Sequence, residues 1–279
     1  MSEKKRLLIV DGNSILNRAY YGIRPLSAPD GTPTNAVYGF LNILLKYLEE
    51  ETPDYLGVAF DLKAPTFRHK MFDDYKAQRK PAPDDFIVQI PIMKEVLSAM
   101  DCKCIELEGY EADDLIGTVA RLGEENDFKV YIVTGDKDAI QLASHKTTTL
   151  ITKKGVGEVE EYNYDSVLER YEMTPTQFID LKGLMGDKSD NIPGVPGVGE
   201  KTGIKLLKQY STIENLIEHT DELKGSIKKK IEENKDLALM SKELATIITN
   251  VPIEVKLEDL AYGDYNKDDV VEKFKEFGF

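Results

Sequence analysis

Three apolar runs, LLIV, YLGVAF and VYIVTG, recur along the first half of the chain, and each passes directly into acidic positions: Asp11, Asp61, and Asp136 with Asp138. Short apolar runs of this kind predict strands buried on both faces. Between them, AVYGFLNILLKYLEE and DDFIVQIPIMKEVLSAM carry apolar residues at helical spacing. Alternating strands and helices imply an α/β fold with a mainly parallel central sheet flanked by helices. Ligands of such sheets bind outside the carboxyl ends of the strands. The strand-end acids are therefore expected to meet in one crevice.

From about Thr174 the pattern changes to short helical segments around a glycine-rich stretch, GVPGVGEKTGIKLL, and a lysine-rich stretch, 224–235. The chain is expected to divide into an α/β domain, 1–170, and a C-terminal helical domain, 171–279. The glycine spacing is not that of the GxxxxGK[ST] phosphate loop, so Lys201 and Thr202 do not indicate an ATPase.

Two further segments add carboxylates. GYEADDLIG places Glu111, Asp113 and Asp114 at a helix start, where acids also suit the helix dipole. GDKSDN supplies Asp187 and Asp190. Any one of these acids alone is more often a cap or turn former. Separate segments delivering carboxylates to one crevice favour hard divalent cations, which take oxygen ligands. Two such ions can activate water and stabilise both oxygens of an in-line phosphoryl displacement. His69, His145 and His219 are widely separated and show no metal or triad spacing.

Charge at first argues against a nucleic-acid partner, since 36 basic against 50 acidic residues leave a net charge of −14. The conflict is resolved if acids gather at a metal site while basic residues cluster elsewhere. The span 63–80 has that character, with six Lys or Arg, two acids, and the aromatics Phe67, Phe72 and Tyr75. From composition alone it is equally a solvated helix face with aromatic core anchors. Cys102 and Cys104 lack the partners of a disulfide framework or zinc site and read as thiols in a reducing cytoplasm. No stretch reads as a membrane span or export leader. The chain is expected to be soluble, cytoplasmic and nucleoid-associated.

With these residues in place, the chain resembles the 5′ nuclease domains of bacterial DNA polymerase I, within the flap endonuclease and 5′-3′ exonuclease family. The resemblance rests on LLIVDGNS, VAFDLKAPTFRH, YKAQRKPAP, GYEADDLIGT, VTGDKDAIQL and GDKSDNIPGVPGVGEKTG in the family's order, and it covers essentially the whole chain. It implies a PIN-like 5′ nuclease fold with a helical arch at about 63–95 over the active site, and a helix-hairpin-helix in the C-terminal domain. It implies one metal group around Asp11, Asp61, Glu111, Asp113 and Asp114, and another including Asp136, Asp138, Asp187 and Asp190. Mg²⁺, with Mn²⁺ as substitute, is the expected cofactor, with K⁺ at the helix-hairpin-helix.

The resemblance also implies that Lys76 and Arg79 face the scissile phosphate and join Asp113 and Asp136 as catalytic residues. Tyr75 would stack on a nucleobase. Arg18 and Arg68 are further DNA contacts, with ion pairing as the alternative. Gly194, Gly197, Gly199, Lys201 and Thr202 of the hairpin would hold a duplex phosphate. Apolar residues in 27–40 would wedge against a terminal base pair, although a loop leading to a buried helix face explains the same pattern. The implied activity is hydrolysis of DNA at 5′ ends and flap junctions in primer removal and repair. The implied partners are flapped, nicked, gapped or RNA-primed DNA, met by a monomer that is either free-standing or continuous with a polymerase. Two rivals are an inactive junction-binding module, disfavoured because all nine acids are present, and a nuclease of RNA ends.

Overall fold

The computed structural model describes residues 4–153 and 158–279. In chain order the strands are β1 (Arg6–Asp11), β2 (Tyr55–Ala59), β3 (Lys103–Ile105), β4 (Lys129–Thr134), β5 (Thr147–Thr152) and β6 (Val159–Tyr162). They form one sheet of order β3-β2-β1-β4-β5-β6, parallel except for β6. Helices α1 (Gly12–Gly22), α2 (Asn35–Glu51), α3 (Phe67–Met71), α4 (Asp84–Ile87), α5 (Gln89–Ala99) and α6 (Ala112–Glu125) fall between the first four strands.

The continuous apolar run of β1 is explained by burial on both sides. Leu8 and Val10 join the core under α1, α2 and α5, whereas Leu7 and Ile9 face the core under α6. The order reverses between β1 and β4, the place where the carboxyl ends of neighbouring strands splay apart and leave a crevice. Asp11 ends β1, and Asp136 follows β4.

After β6 come α7 (Tyr164–Tyr171), α8 (Gln177–Met185), α9 (Glu200–Tyr210), α10 (Ile213–Glu218), α11 (Gly225–Glu233), α12 (Lys235–Ala245) and α13 (Lys267–Glu276). A separate core, including Leu184, Leu207, Ile213 and Ile231, lies among α8 to α12. The expected C-terminal unit does not keep to itself. Val251, Leu257 and Leu260 return to the core under α6, and Val270 of α13 joins the core on the opposite face of the sheet.

The expected arch over 63–95 also differs. It is helical only in α3 and from α4 onward, and α5 is a core helix through Met93, Val96 and Leu97. Residues 72–83 run as turns and irregular chain. Pro81 and Pro83 lack amide donors, and Lys76 adopts a left-handed φ of 56°, so a continuous helix cannot pass through. In 27–40, Ala36, Val37 and Phe40 are core residues of α2 and not a wedge, while Tyr38 points outward beside Phe279 with ring centroids 5.8 Å apart. No helix among the described residues is long and apolar enough to cross a membrane.

Candidate metal and nucleic-acid site

Local backbone chemistry sets each acid at the strand ends. Asp11 caps α1 by accepting from the Ser14 amide at 2.9 Å, and its other oxygen accepts from the Thr134 hydroxyl at 2.8 Å. Asp136 caps the following turn of 3₁₀ helix by accepting from the Asp138 amide at 2.9 Å. Asp61 accepts from the Ala112 amide at 2.7 Å, tying the end of β2 to the first turn of α6. Each acid therefore satisfies an orphan helix-terminal donor with one oxygen.

Six of the nine expected acids, Asp11, Asp61, Glu111, Asp113, Asp136 and Asp190, line one cleft of about 890 Å³. Arg18, Lys76 and Arg79 line the same cleft. Lys76 donates to Glu111 at 2.8 Å, its ammonium lies 3.7 Å from Asp190, and Arg79 pairs with Asp190. Burial works against the Lys76 ammonium, but Glu111 and Asp190 outweigh it and raise its pKa. Arg18 makes no ion pair among the described residues; its guanidinium donates to the Gly135 carbonyl at 3.4 Å, and burial lowers its pKa.

Three acids lie outside the cleft lining. Asp114 is fully buried, and Arg68 donates to both of its oxygens at 2.7 Å. Backbone amides of Glu111 and Ile248 complete its shell at 3.0 and 2.9 Å. Asp114 therefore offers no free face to an ion, and its expected ligand role is replaced by an anchoring one. Asp138 and Asp187 stand beside the cleft and share Lys182, whose ammonium is 2.7 Å from Asp138 and also pairs with Asp187.

Two expected DNA contacts are likewise corrected. Arg68 is 2% exposed and also donates to the carbonyls of Leu244 and Thr246, so its guanidinium is engaged in holding chain segments together and is turned away from solvent. Tyr75 is 2% exposed, its hydroxyl donating towards Glu111 at 3.2 Å and Asp190 at 3.3 Å, so its ring is not available for stacking.

The hairpin between α8 and α9 sorts the expected phosphate contacts. Gly197, Gly199, Lys201 and Thr202 are exposed. Gly194 is buried, with φ of 62°, and a Cβ there would lie 2.2 Å from the Gly186 nitrogen. It is a packing glycine, its own amide donating to Ser241 at 3.0 Å.

Sequence reasoning missed Asn13, Ser14, Asn17 and Tyr21 of the cleft wall, and Thr134 and Lys182 beside it. Ser14 had a signal, since it stands three positions after a strand-end acid, where a capped helix presents its amide. Tyr21, 70% exposed, had none.

The donor set suits a hard divalent cation, being entirely oxygen. Burial, reinforced by its acidic neighbours, raises Asp11 to about 7 despite hydrogen bonds from Ser14 and Thr134. Burial and then Asp11, Asp136 and Asp61 push Asp113 well above the ordinary carboxylate range. Bound positive charge reverses such a penalty. No three acidic, imidazole or thiol side chains among the described residues are drawn together enough to clasp an ion, and Lys76, Arg79 and Lys182 pair with Glu111, Asp190 and Asp138. No histidine lines the cleft.

Buried carboxylates at a parallel-sheet switch point, rimmed by cationic side chains and lacking a nucleophile triad, define a phosphoryl-transfer site of the metal-assisted class. Residues 6–172 match the 5′-3′ exonuclease N-terminal resolvase-like domain, and residues 173–268 match the 5′-3′ exonuclease C-terminal SAM fold. The chain belongs to the 5′-3′ exonuclease family. DNA polymerase I of Bacillus subtilis (strain 168) is 52% identical over 280 residues, which is 100% of this chain and 32% of that protein. The chain thus spans about a third of the length of the curated relatives it matches. Among solved structures, a T5 5′-exonuclease with bound zinc aligns with a TM-score of 0.74 at 21% identity, covering 97% of each chain. The catalytic core of Rad2 in complex with DNA substrate aligns with a TM-score of 0.63 at 18% identity, covering 99% of this chain and 89% of that one. These two likenesses concern the fold.

Proposed function

We propose that this chain hydrolyses DNA phosphodiesters at 5′ ends and flap junctions, leaving a 5′ phosphate, with Mg²⁺ as cofactor and Mn²⁺ as substitute. The observation that carries the reading is the single cleft in which six carboxylates from the ends of β1, β2 and β4, the start of α6 and the 186–192 loop meet Arg18, Lys76 and Arg79. The T5 and Rad2 proteins, described with metal ions and with DNA, support it by fold.

Asp11, Asp61, Glu111, Asp113, Asp136 and Asp190 are the groups to hold the ions. Bound there, divalent cations supply an acidified water and neutralise charge on the transferring phosphoryl group. The chain's own residues do the rest. Arg18, with no carboxylate partner among the described residues, is the side chain to take a phosphate oxygen. Lys76 and Arg79, fixed to Glu111 and Asp190, place positive charge where negative charge develops. Arg68 and Asp114 set the start of α6, and with it Glu111 and Asp113. The exposed hairpin at Gly197 and Gly199 offers backbone to duplex phosphates, with K⁺ between, and reads no sequence.

By this reading the chain serves primer and flap removal in replication and repair, working in the cytoplasm on the nucleoid, as a monomer or as part of a polymerase I chain. A 5′-flap substrate labelled at either end and incubated with Mg²⁺ or EDTA tests it. Mg²⁺-dependent products of defined length are expected. Asp113→Ala, Asp136→Ala or Lys76→Ala should each lower turnover by about 10²–10³-fold, the scale of one lost preorganised electrostatic group, while flap binding persists. Near-normal cleavage by all three overturns the assignment, and preference for a matched RNA flap shifts it to the RNA-end reading.

A further inference from the structure

Between the cleft and the exposed hairpin the chain crosses itself at two glycines. Gly186, with φ of 73°, closes α8, and Gly194, with φ of 62°, opens the hairpin; a Cβ on Gly194 would lie 2.2 Å from the Gly186 nitrogen. The neighbouring amides bond within the crossing. Ile192 donates to the Asp187 carbonyl at 2.8 Å, Pro193 has no amide hydrogen, and Val195 donates to the Leu184 carbonyl at 2.7 Å. Of the amides in 192–195, only that of Gly194 turns away, donating to the hydroxyl of Ser241 in α12 at 3.0 Å. Ser241 is fully buried, and α12 stands close against α8 beside it, since a Cβ on Gly183 would come 2.9 Å from the Lys242 Cβ. The α/β domain grips the same helix through Arg68 on the Leu244 carbonyl and Gln141 on the Ala245 carbonyl. One hydroxyl therefore fastens the crossing to a helix that the rest of the molecule already holds.

We propose that Ser241 is a positioning residue that sets which phosphodiester bond is cut: by holding the Gly194 amide, it fixes the hairpin at one distance from the cleft carboxylates. This rests on the nuclease reading above, in which the hairpin holds a duplex phosphate. Without the hydroxyl a buried donor is left unsatisfied, and movement of 193–195 towards water or another acceptor relieves it. The hairpin glycines Gly197 and Gly199 follow directly and move with them. Successive nucleotides of one strand rise by about 3.4 Å, so a displacement of a fraction of that lets a neighbouring bond compete for the reacting centre. A misplacement of about 1 Å also costs up to about 10²-fold in rate.

The test is single-turnover cleavage of a 5′-flap substrate, labelled at its 5′ end, by the full chain with Mg²⁺, with products resolved to the nucleotide. Ser241→Ala should slow cleavage at the principal bond by at least about tenfold and move part of the product to the adjacent bond. Ser241→Cys, nearly isosteric but a weak acceptor, should do the same. Ser241→Thr keeps the hydroxyl and should give the wild-type product pattern. Ile231→Val trims the same helical core, leaves every hydrogen bond of the crossing in place, and should cut where wild type cuts. A Ser241→Ala chain that cuts only at the wild-type bonds, whether fast or slow, overturns the proposal, because a merely stabilising residue changes how much enzyme is folded and not where it cuts. Equal spreading of products by Ile231→Val or Ser241→Thr overturns it as well. If Ser241→Ala does not fold, Ser241→Cys decides by the same pattern. A wild-type chain that leaves the flap intact in Mg²⁺ overturns the nuclease reading itself, an outcome distinct from the others.

Discussion

Arg68→Ala separates two roles for a basic residue in the most positive part of the chain. If Arg68 grips phosphate, its loss weakens DNA binding and leaves the fold alone. Its geometry says the reverse: the guanidinium satisfies both oxygens of fully buried Asp114 and two carbonyls of the 244–246 segment. Truncation leaves the Asp114 side chain with only the amides of Glu111 and Ile248 as donors. Removing one partner of a buried pair costs about 3–5 kcal/mol, whereas an exposed pair contributes about 0–1 kcal/mol. Against a total stability of about 5–15 kcal/mol, the loss should be unmistakable in the midpoint of urea unfolding, read at unchanged slope. Arg68→Met combined with Asp114→Leu, which removes both charges, should recover part of it. The dependence of flap affinity on salt should keep its wild-type slope. The reasoning fails if Arg68→Ala stays within about 0.5 kcal/mol of wild type, the usual span for a surface change, and its log–log salt slope becomes shallower by about 0.9, the signature of one lost phosphate contact.

Arg18→Ala is the complementary case: stability should hold, while the salt slope of flap binding falls by about 0.9, measured by fluorescence anisotropy over a salt series. Gly194→Ala should destabilise by more than the about 1–2 kcal/mol that a left-handed φ costs a residue with a side chain, because its Cβ also meets the Gly186 backbone, and thermal unfolding reads this directly. Burial raises the thiol of Cys104 to about 11 and that of Cys102 well above its ordinary value, so at pH 8 a disulfide reagent should label both at least about a hundredfold more slowly than in urea. A raised thiol pKa favours folding below the unfolded value near 9, and that contribution disappears as pH climbs through about 11, so stability should fall across this window.

The strands that position the site could be read because they are buried on both faces. β1, β2 and β4 are unbroken apolar runs, and each ends where an acid has a helix or turn to cap. β5, TTTLIT, hid its burial behind threonines, although Thr147 and Thr149 are fully buried, and β6 is an edge strand whose glutamates carry no periodic signal. The convergence of six acids followed from strand order and topology. The withdrawal of Asp114, Arg68 and Tyr75 into the interior did not, because ligand and anchor roles use the same residue types at the same helix start. Only the partners decide: Arg68 and Asp114 meet each other and residues 244–248, more than a hundred positions away, while Tyr75 meets Glu111 and Asp190. The return of the chain's last segment to both faces of the sheet was equally silent, since 247–260 contains no regular strand or α-helix.

The 186–192 loop links the two ends of the proposed machinery without a flexible joint. It carries Asp190 into the cleft and is closed by paired amide-to-carbonyl bonds between Asp187 and Ile192, at 2.9 and 2.8 Å. Gly194 follows at once, pressed against Gly186, and the exposed hairpin glycines Gly197 and Gly199 come directly after. A phosphate held at the hairpin, as proposed, would thus be tied through fewer than ten residues of braced backbone to the Asp190 carboxylate in the cleft. On the other side of that loop, the Lys76 amide donates to the Asp190 carbonyl at 2.9 Å and the Asn191 side chain donates to the Asp74 carbonyl at 2.7 Å, joining the basic segment to the same brace. On the proposed reading, the distance between a duplex held at the hairpin and the scissile bond would be set by covalent and hydrogen-bonded geometry and not by charge. By the same reading, a net charge of −14 does not bar a polyanionic substrate: electrostatics need only be favourable over the short path from hairpin to cleft, where the cations and the braced backbone are concentrated.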